Sequence, residues 1–156
     1  MSGRPSELSH RELRARFRGM PAPELSAVVG RYDGAFPGPR GYDVACRYAM
    51  ALTGLAGWHG KRFGPPVTGA GEAPVVNLVR DGEAKPMLAR IAPSLTDGRP
   101  AVVCTYRSRE APPYRWVRDE FRRWDERTLL ALAFLDLTVV RAIGFPFVLR
   151  RNDPPL

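Results

Sequence analysis

At 156 residues, 44% of them apolar and 26% charged, the chain has the size and make-up of one soluble globular domain with a real core. No apolar run approaches the ~20 residues of a membrane span. The N-terminal MSGRPSELSHRELRARFRG lacks the apolar centre of a secretory signal, so a cytoplasmic address is expected. The net charge of +8 invites a nucleic-acid reading, but of 24 basic residues only Lys61 and Lys85 are lysine, and the arginines are scattered among acids, as in RDEFRRWDER at 118–127. A phosphate-tracking groove would concentrate them on one face. No specific nucleic-acid partner is expected, while weak contact with an anionic membrane surface stays open.

In chain order, Ser9 and Glu12 have the spacing of a capping box, and Leu13 and Phe17 fall on one side, which predicts a short helix over 9–18. Pro21 and Pro23 break it, making residues 1–23 a helix and linker. AVVGRYDGAF, 27–36, reads as a strand ending in the turn-like PGPRG. YDVACRYAMALTGLAGW, 42–58, carries Val44, Tyr48, Leu52 and Leu55 at helical spacing, with Asp43 near the N-cap. Its only charges are Asp43 and Arg47, so this helix is expected to be largely covered. GPPVTGAGEAP, 64–74, reads as a loop.

From residue 75 the pattern changes to short extended runs between turn signals: VVNLVRDG, KPMLARIAPS, RPAVVCTYRS, PYRWVRDEFRRW, TLLALAFLDLTVV and FPFVLRR. TLLALAFL has a helix-compatible composition, but turn residues precede it and an extended run follows it. It is apolar on both faces, so one of the helices should cover it from outside. The expected architecture is a single domain, mainly β with some α: an antiparallel barrel over 24–150 with the helix at 42–58 inserted after its first strand. Residues 151–156 form a tail. Barrels of about eight strands can enclose one small ligand.

The stretch GWHGKRFG, 57–64, gathers an aromatic ring, an imidazole and two cations between glycines. It is not a phosphate loop: Arg62 follows Gly60-Lys61 where a hydroxyl residue is needed, and Leu55 stands where a glycine is needed. The two histidines, His10 and His59, belong to no metal-binding cluster, and no dinucleotide fingerprint is present, so no metal or cofactor is expected. Asp119 and Glu120 are adjacent and would point to opposite faces of a strand. Cys46 and Cys104 read as free thiols.

GRYDG at 30–34 has the form G-x-W-x-G with tyrosine at the aromatic position, and WHGKRF at 58–63 is similar to the W-x-G-K-R-F that follows it in GXWXG-domain proteins. YRWVRDEFRRWDERTLLALAFLD, 114–136, and FPFVLRR resemble the second segment, of unknown function, that accompanies that domain. The resemblance covers most of residues 24–150. It implies a calycin-like barrel, related in shape to lipocalins, that binds a hydrophobic or lipid-like ligand. Tyr32 in place of tryptophan, and His59 where an aromatic is common, are departures from the pattern.

Alternation sends Lys61 and Phe63 one way and Arg62 the other; it sets Tyr114, Trp116, Arg118 and Glu120 against Val117, Asp119 and Phe121. An inward charge needs a partner, and Asp119 with Arg62 or Arg122 is the expected pair. The expected function is binding of a hydrophobic or amphipathic molecule with an acidic head. Tyr32, Trp58, Tyr106 and Phe134 would line the cavity, and Lys61, Arg62 and Arg118 would supply positive charge. The alternative is a cofactor-independent cyclase or isomerase, with His59 or Asp119 as acid–base group and substrate folding supplying much of the rate.

Overall fold

The structure is a computed structural model and describes residues 3–137 and 140–153. The first helix, α1 (His10–Gly19), begins where the sequence places it. Ser9 Oγ accepts from the Glu12 amide at 3.3 Å while the Glu12 carboxylate accepts from the Ser9 amide at 2.8 Å, which closes the capping box. The first strand, β1 (Gly30–Ala35), is followed by α2 (Tyr42–Leu52) and then by β2 (Gly60–Phe63), β3 (Glu72–Val79) and β4 (Gly82–Pro93). The chain continues through β5 (Pro100–Tyr106), β6 (Val117–Arg123), β7 (Thr128–Leu135) and β8 (Phe145–Arg151). All neighbours are antiparallel, and β1 pairs with β8, from Tyr32 opposite Arg151 to Ala35 opposite Val148, so the sheet closes on itself as an eight-stranded barrel.

Several expectations change in detail. GKRF is a strand of its own, and β3 starts at Glu72, inside the expected loop, so eight strands form where the sequence suggested seven. Tyr114–Trp116 is a single 3₁₀ turn, not the start of a strand. TLLALAFL is a strand, as its neighbours indicated; of the run that follows it, Thr138 and Val139 lie outside the described residues, as do residues 154–156 of the tail. The inserted helix stops at Leu52, six residues short of its expected end.

That helix is also turned over relative to expectation. Val44, Tyr48 and Leu52 face away from the protein at 71%, 67% and 69% exposure, while Tyr42, Cys46, Ala49 and Met50 face the barrel. Periodicity marks a stripe but does not say which stripe is buried; of the expected one only Leu55, beyond the helix end, is in the core.

The barrel has two cores. Inside lie Tyr32, Phe63, Val75, Ala89, Val102, Phe121, Leu129 and Leu149, among others. Outside, α1 lays Leu13 and Phe17 over Ala101, Val103, Leu130, Leu132 and Phe134, which is why β7 is apolar on both faces. The outer face of β6 is covered as well. Glu120 accepts from the Leu95 amide at 2.7 Å and from the Ser94 hydroxyl, and Arg122, fully buried, grips both Asp97 oxygens at 2.7 Å and the Phe17 carbonyl at 2.9 Å. The mixed polarity of YRWVRDEF thus records a strand buried on two sides.

Candidate functional site

One half of the barrel interior is packed with side chains; the other holds a cavity of about 220 Å³ that is partly open to solvent. Helix α2 spans its mouth. Tyr42 Oη donates to the Pro146 carbonyl at 3.0 Å at one end of the helix, and Arg47 donates to the Trp58 carbonyl at 2.9 Å in its middle. At the other end Thr53 Oγ1 donates to the Ala49 carbonyl at 2.8 Å, so the 2.6 Å contact with Tyr114 Oη has the phenol as donor. The walls are apolar: Phe36, Met50, Val117, Ala133, Phe145 and Phe147.

Tyr42, Cys46 and Tyr114 bring polar atoms to the α2 side, and the charged groups lie at the floor. Lys61 Nζ stands 3.1 Å from Asp119 Oδ2, with the two side chains 3% and 6% exposed. The expected partners of Asp119 are therefore corrected: Arg62 points outward and pairs with Glu83 in solvent, and Arg122 sits on the outer face. Strand alternation explains the exchange, because the residue on β2 that shares the interior with Asp119 is Lys61. Lys61 also donates to Asn77 Oδ1 at 2.8 Å and to Met87 Sδ at 3.2 Å, so its three protons have three acceptors.

Asn77 organises the floor. Its Oδ1 accepts from Trp58 Nε1 at 3.0 Å and from Lys61, both of which are donors only, and this fixes the orientation of the amide. Its Nδ2 then donates to the Lys85 carbonyl at 3.1 Å and to Tyr106 Oη at 2.9 Å. The β3–β4 ladder is irregular at this point, stepping from Val75 opposite Met87 to Asn77 opposite Ala84, and Lys85 takes a left-handed φ of 47°. Such bulges re-aim side chains and backbone groups, and this one presents the Lys85 carbonyl to Asn77.

Burial dominates the proton affinities. It raises the Asp119 carboxyl above its ordinary value, opposed by the Lys61 ammonium, and pushes the Tyr106 phenol well up, with the Asp119 charge adding to the effect. The Cys104 thiol, on the adjacent strand, is raised by the same desolvation.

The sequence-derived candidates divide cleanly. Trp58, Lys61, Tyr106 and Asp119 meet at the cavity. Tyr32 is interior but belongs to the packed half, stacked edge-on to Phe63 at 5.5 Å with its hydroxyl accepting from Arg151 at 2.7 Å. Phe134 is on the outer face of β7 under α1, and Arg118 is on the outer face of β6, 2.9 Å from Glu120, so neither lines the cavity. His59 is half-buried but not part of the lining; its backbone bonds to Gly34 and Leu78, extending the ladder beyond β2. Of the two acid–base candidates only Asp119 reaches the cavity. The two glycine–aromatic fragments do come together: a side chain at Gly34 would run into the Trp58 ring, and one at Gly60 into the Tyr32 carbonyl.

Sequence reasoning missed Asn77, Tyr114, Cys46 and Phe147. Asn77 had a readable signal, an amide in the middle of the apolar run VVNLV, where a buried polar group must have partners.

No family model matches the chain, and no curated protein matches it. Among solved structures, the crystal structure of a protein from Thermomonospora curvata is similar at a TM-score of 0.61 and 18% identity, over 94% of this chain and 89% of that one. At that identity the likeness is one of fold, and it supports the barrel. Among the described residues no helix is long and apolar enough to cross a membrane.

Proposed function

We propose that the protein encloses a small, mostly apolar, uncharged molecule that carries one hydrogen-bonding group. The observation that carries this reading is the half-empty barrel: apolar walls around about 220 Å³, with one polar cluster at the closed end. Binding sites for drug-sized molecules run to roughly 300–1,000 Å³. A compact one- or two-ring molecule suits this space better than a long acyl chain.

The head group follows from charge. Lys61 is neutralised by Asp119 and Arg62 faces solvent, so the floor has no spare cation for the acidic head suggested by the sequence. A carboxylate there would meet Asp119 in a medium that magnifies repulsion. A neutral carbonyl or hydroxyl would not.

Kinship with GXWXG-domain proteins is part of this proposal, carried by Gly34 and Trp58 packing together and by Lys61 at the floor. Native mass spectrometry of the protein as purified tests the container. A noncovalent small-molecule adduct, absent when Ala133→Phe fills the cavity, is the expected result. Ligand retention that is indifferent to Ala133→Phe contradicts it.

A further inference from the structure

We propose that Asp119 and Tyr106 form a general base and hydrogen-bond donor that move a proton on the carbon beside the carbonyl of a small enolisable ketone. The proposal rests on the container reading above and names its substrate class.

It begins with what the floor leaves unused. Asn77 makes four hydrogen bonds, Lys61 has an acceptor for each proton, Trp58 has spent its only donor, and Tyr114 gives its proton to Thr53. Two capacities remain among the described residues. Tyr106 Oη accepts from Asn77, so its own O–H has no protein acceptor. Asp119 meets Lys61 through Oδ2 and makes no other hydrogen bond. Both residues line the cavity. Among the described residues no fully buried side-chain polar atom lacks a hydrogen-bond partner, so these two spare capacities are ones a ligand in the cavity can meet. A carbonyl oxygen with an acidic C–H next to it uses both.

The step needs no other reagent. Asp119 Oδ1 takes the proton from the carbon, the C–H pair becomes a C=C bond, and the carbonyl π pair moves onto oxygen, where the Tyr106 O–H stabilises it. Return of the proton to the same carbon gives exchange with solvent. Its return to the far carbon of an unsaturated ketone shifts the double bond. Nothing is oxidised, reduced or released. Lys61 is a positioning residue: its ammonium holds Asp119 in place and favours the carboxylate form that burial alone would disfavour. The apolar walls exclude the water that would solvate and weaken the base.

The test follows deuterium entry into 2-tetralone by proton NMR in buffered heavy water, with binding read separately by saturation-transfer NMR. The wild-type protein is expected to accelerate exchange saturably over buffer. Asp119→Asn should lower the rate by about 100-fold or more, and Tyr106→Phe by at least about tenfold with binding retained. Should Asp119→Asn fail to fold, the wild-type pH profile carries the test: the rate must fall on acidification through one group that titrates above an ordinary carboxylate. Tetralone that binds but exchanges no faster than in buffer overturns the proton-transfer proposal and leaves the container standing. Tetralone that does not bind overturns both.

Discussion

Lys61 on β2 and Asp119 on β6 face each other from opposite walls of an eight-stranded barrel, so their 3.1 Å contact crosses the lumen and divides it. On one side the next residues along the same strands, Phe63 and Phe121, stack edge-on at 5.6 Å and begin the packed half. On the other side the lumen is open up to α2. The ion pair is thus both the floor of the cavity and the roof of the core.

A pair so placed is expensive to break. Lys61→Met leaves a buried carboxylate without its cation and should lower the unfolding free energy by about 3–5 kcal/mol. The double change Lys61→Met with Asp119→Leu should recover most of that loss, because two uncharged groups need no partner. Urea denaturation of the single and double variants measures the coupling. A double variant no more stable than Lys61→Met would show that the two residues do not act on each other.

Asn77 sets which way the Tyr106 proton points. Asn77→Asp can still accept from Trp58 and Lys61 but can no longer donate to Tyr106 Oη, so the phenol turns its proton onto the new carboxylate. The second carboxylate beside Asp119 should lower the variant's stability, but the folded protein should bind 2-tetralone and exchange it at the Tyr106→Phe rate. Exchange at the wild-type rate would show that the tyrosine proton does not reach the ligand.

Far from the cavity, the Arg122 guanidinium holds the Asp97 carboxyl down to about 2. A carboxyl depressed in the folded state adds stability that is fully present above its ordinary value of 3.8 and is lost as pH falls through about 2. The contribution should be about 2 kcal/mol at neutral pH. Asp97→Asn should therefore be less stable than wild type at pH 7, with the gap closing between pH 4 and pH 2. A gap that is constant across that window would place the effect elsewhere.

The two thiols should behave differently. Cys104 is fully buried and its thiol is pushed up by desolvation, so iodoacetamide should leave it untouched until the protein unfolds. Cys46 is half-buried on the inner side of α2 and borders the cavity. Its thiol is also raised, so it should react slowly, and the alkyl group should then block tetralone binding. Peptide mass mapping after partial alkylation gives both results together.

The outward stripe of α2 makes no contribution to the core. Tyr48→Lys and Leu52→Lys should change the unfolding free energy, read by urea denaturation, by no more than about 0.5 kcal/mol each. Losses of several kcal/mol would mean that the helix packs the other way up.

The barrel was legible in the sequence because turn signals and short alternating runs are local, and so was α1, whose cap and apolar pair are local too. The mixed faces of YRWVRDEF correctly announced an inward charge, yet choosing its partner required knowing that β2 and β6 lie opposite each other, a relation set by closure of the sheet. GKRF was too short to declare itself a strand by pattern alone. Phe134 was misplaced for a related reason: on a strand apolar on both faces, composition does not say which face is inside. Tyr106 and Trp58 read correctly as lining; the Asn77 amide stood out in VVNLV, but the Lys85 carbonyl that it bonds is presented only by the bulge opposite it.

The hollow half of the barrel is tested most directly through the indole of Trp58. The protein has three tryptophans, so a nitrogen-15 spectrum shows three indole N–H signals. Trp58 borders the cavity, whereas Trp116 is exposed and Trp124 packs beside Arg16 outside the barrel. On titration with 2-tetralone, one signal should shift saturably, Ala133→Phe should abolish the shift, and the other two signals should stay in place. Three unmoved signals, or three that drift together without saturating, would contradict an accessible cavity above Lys61 and Asp119.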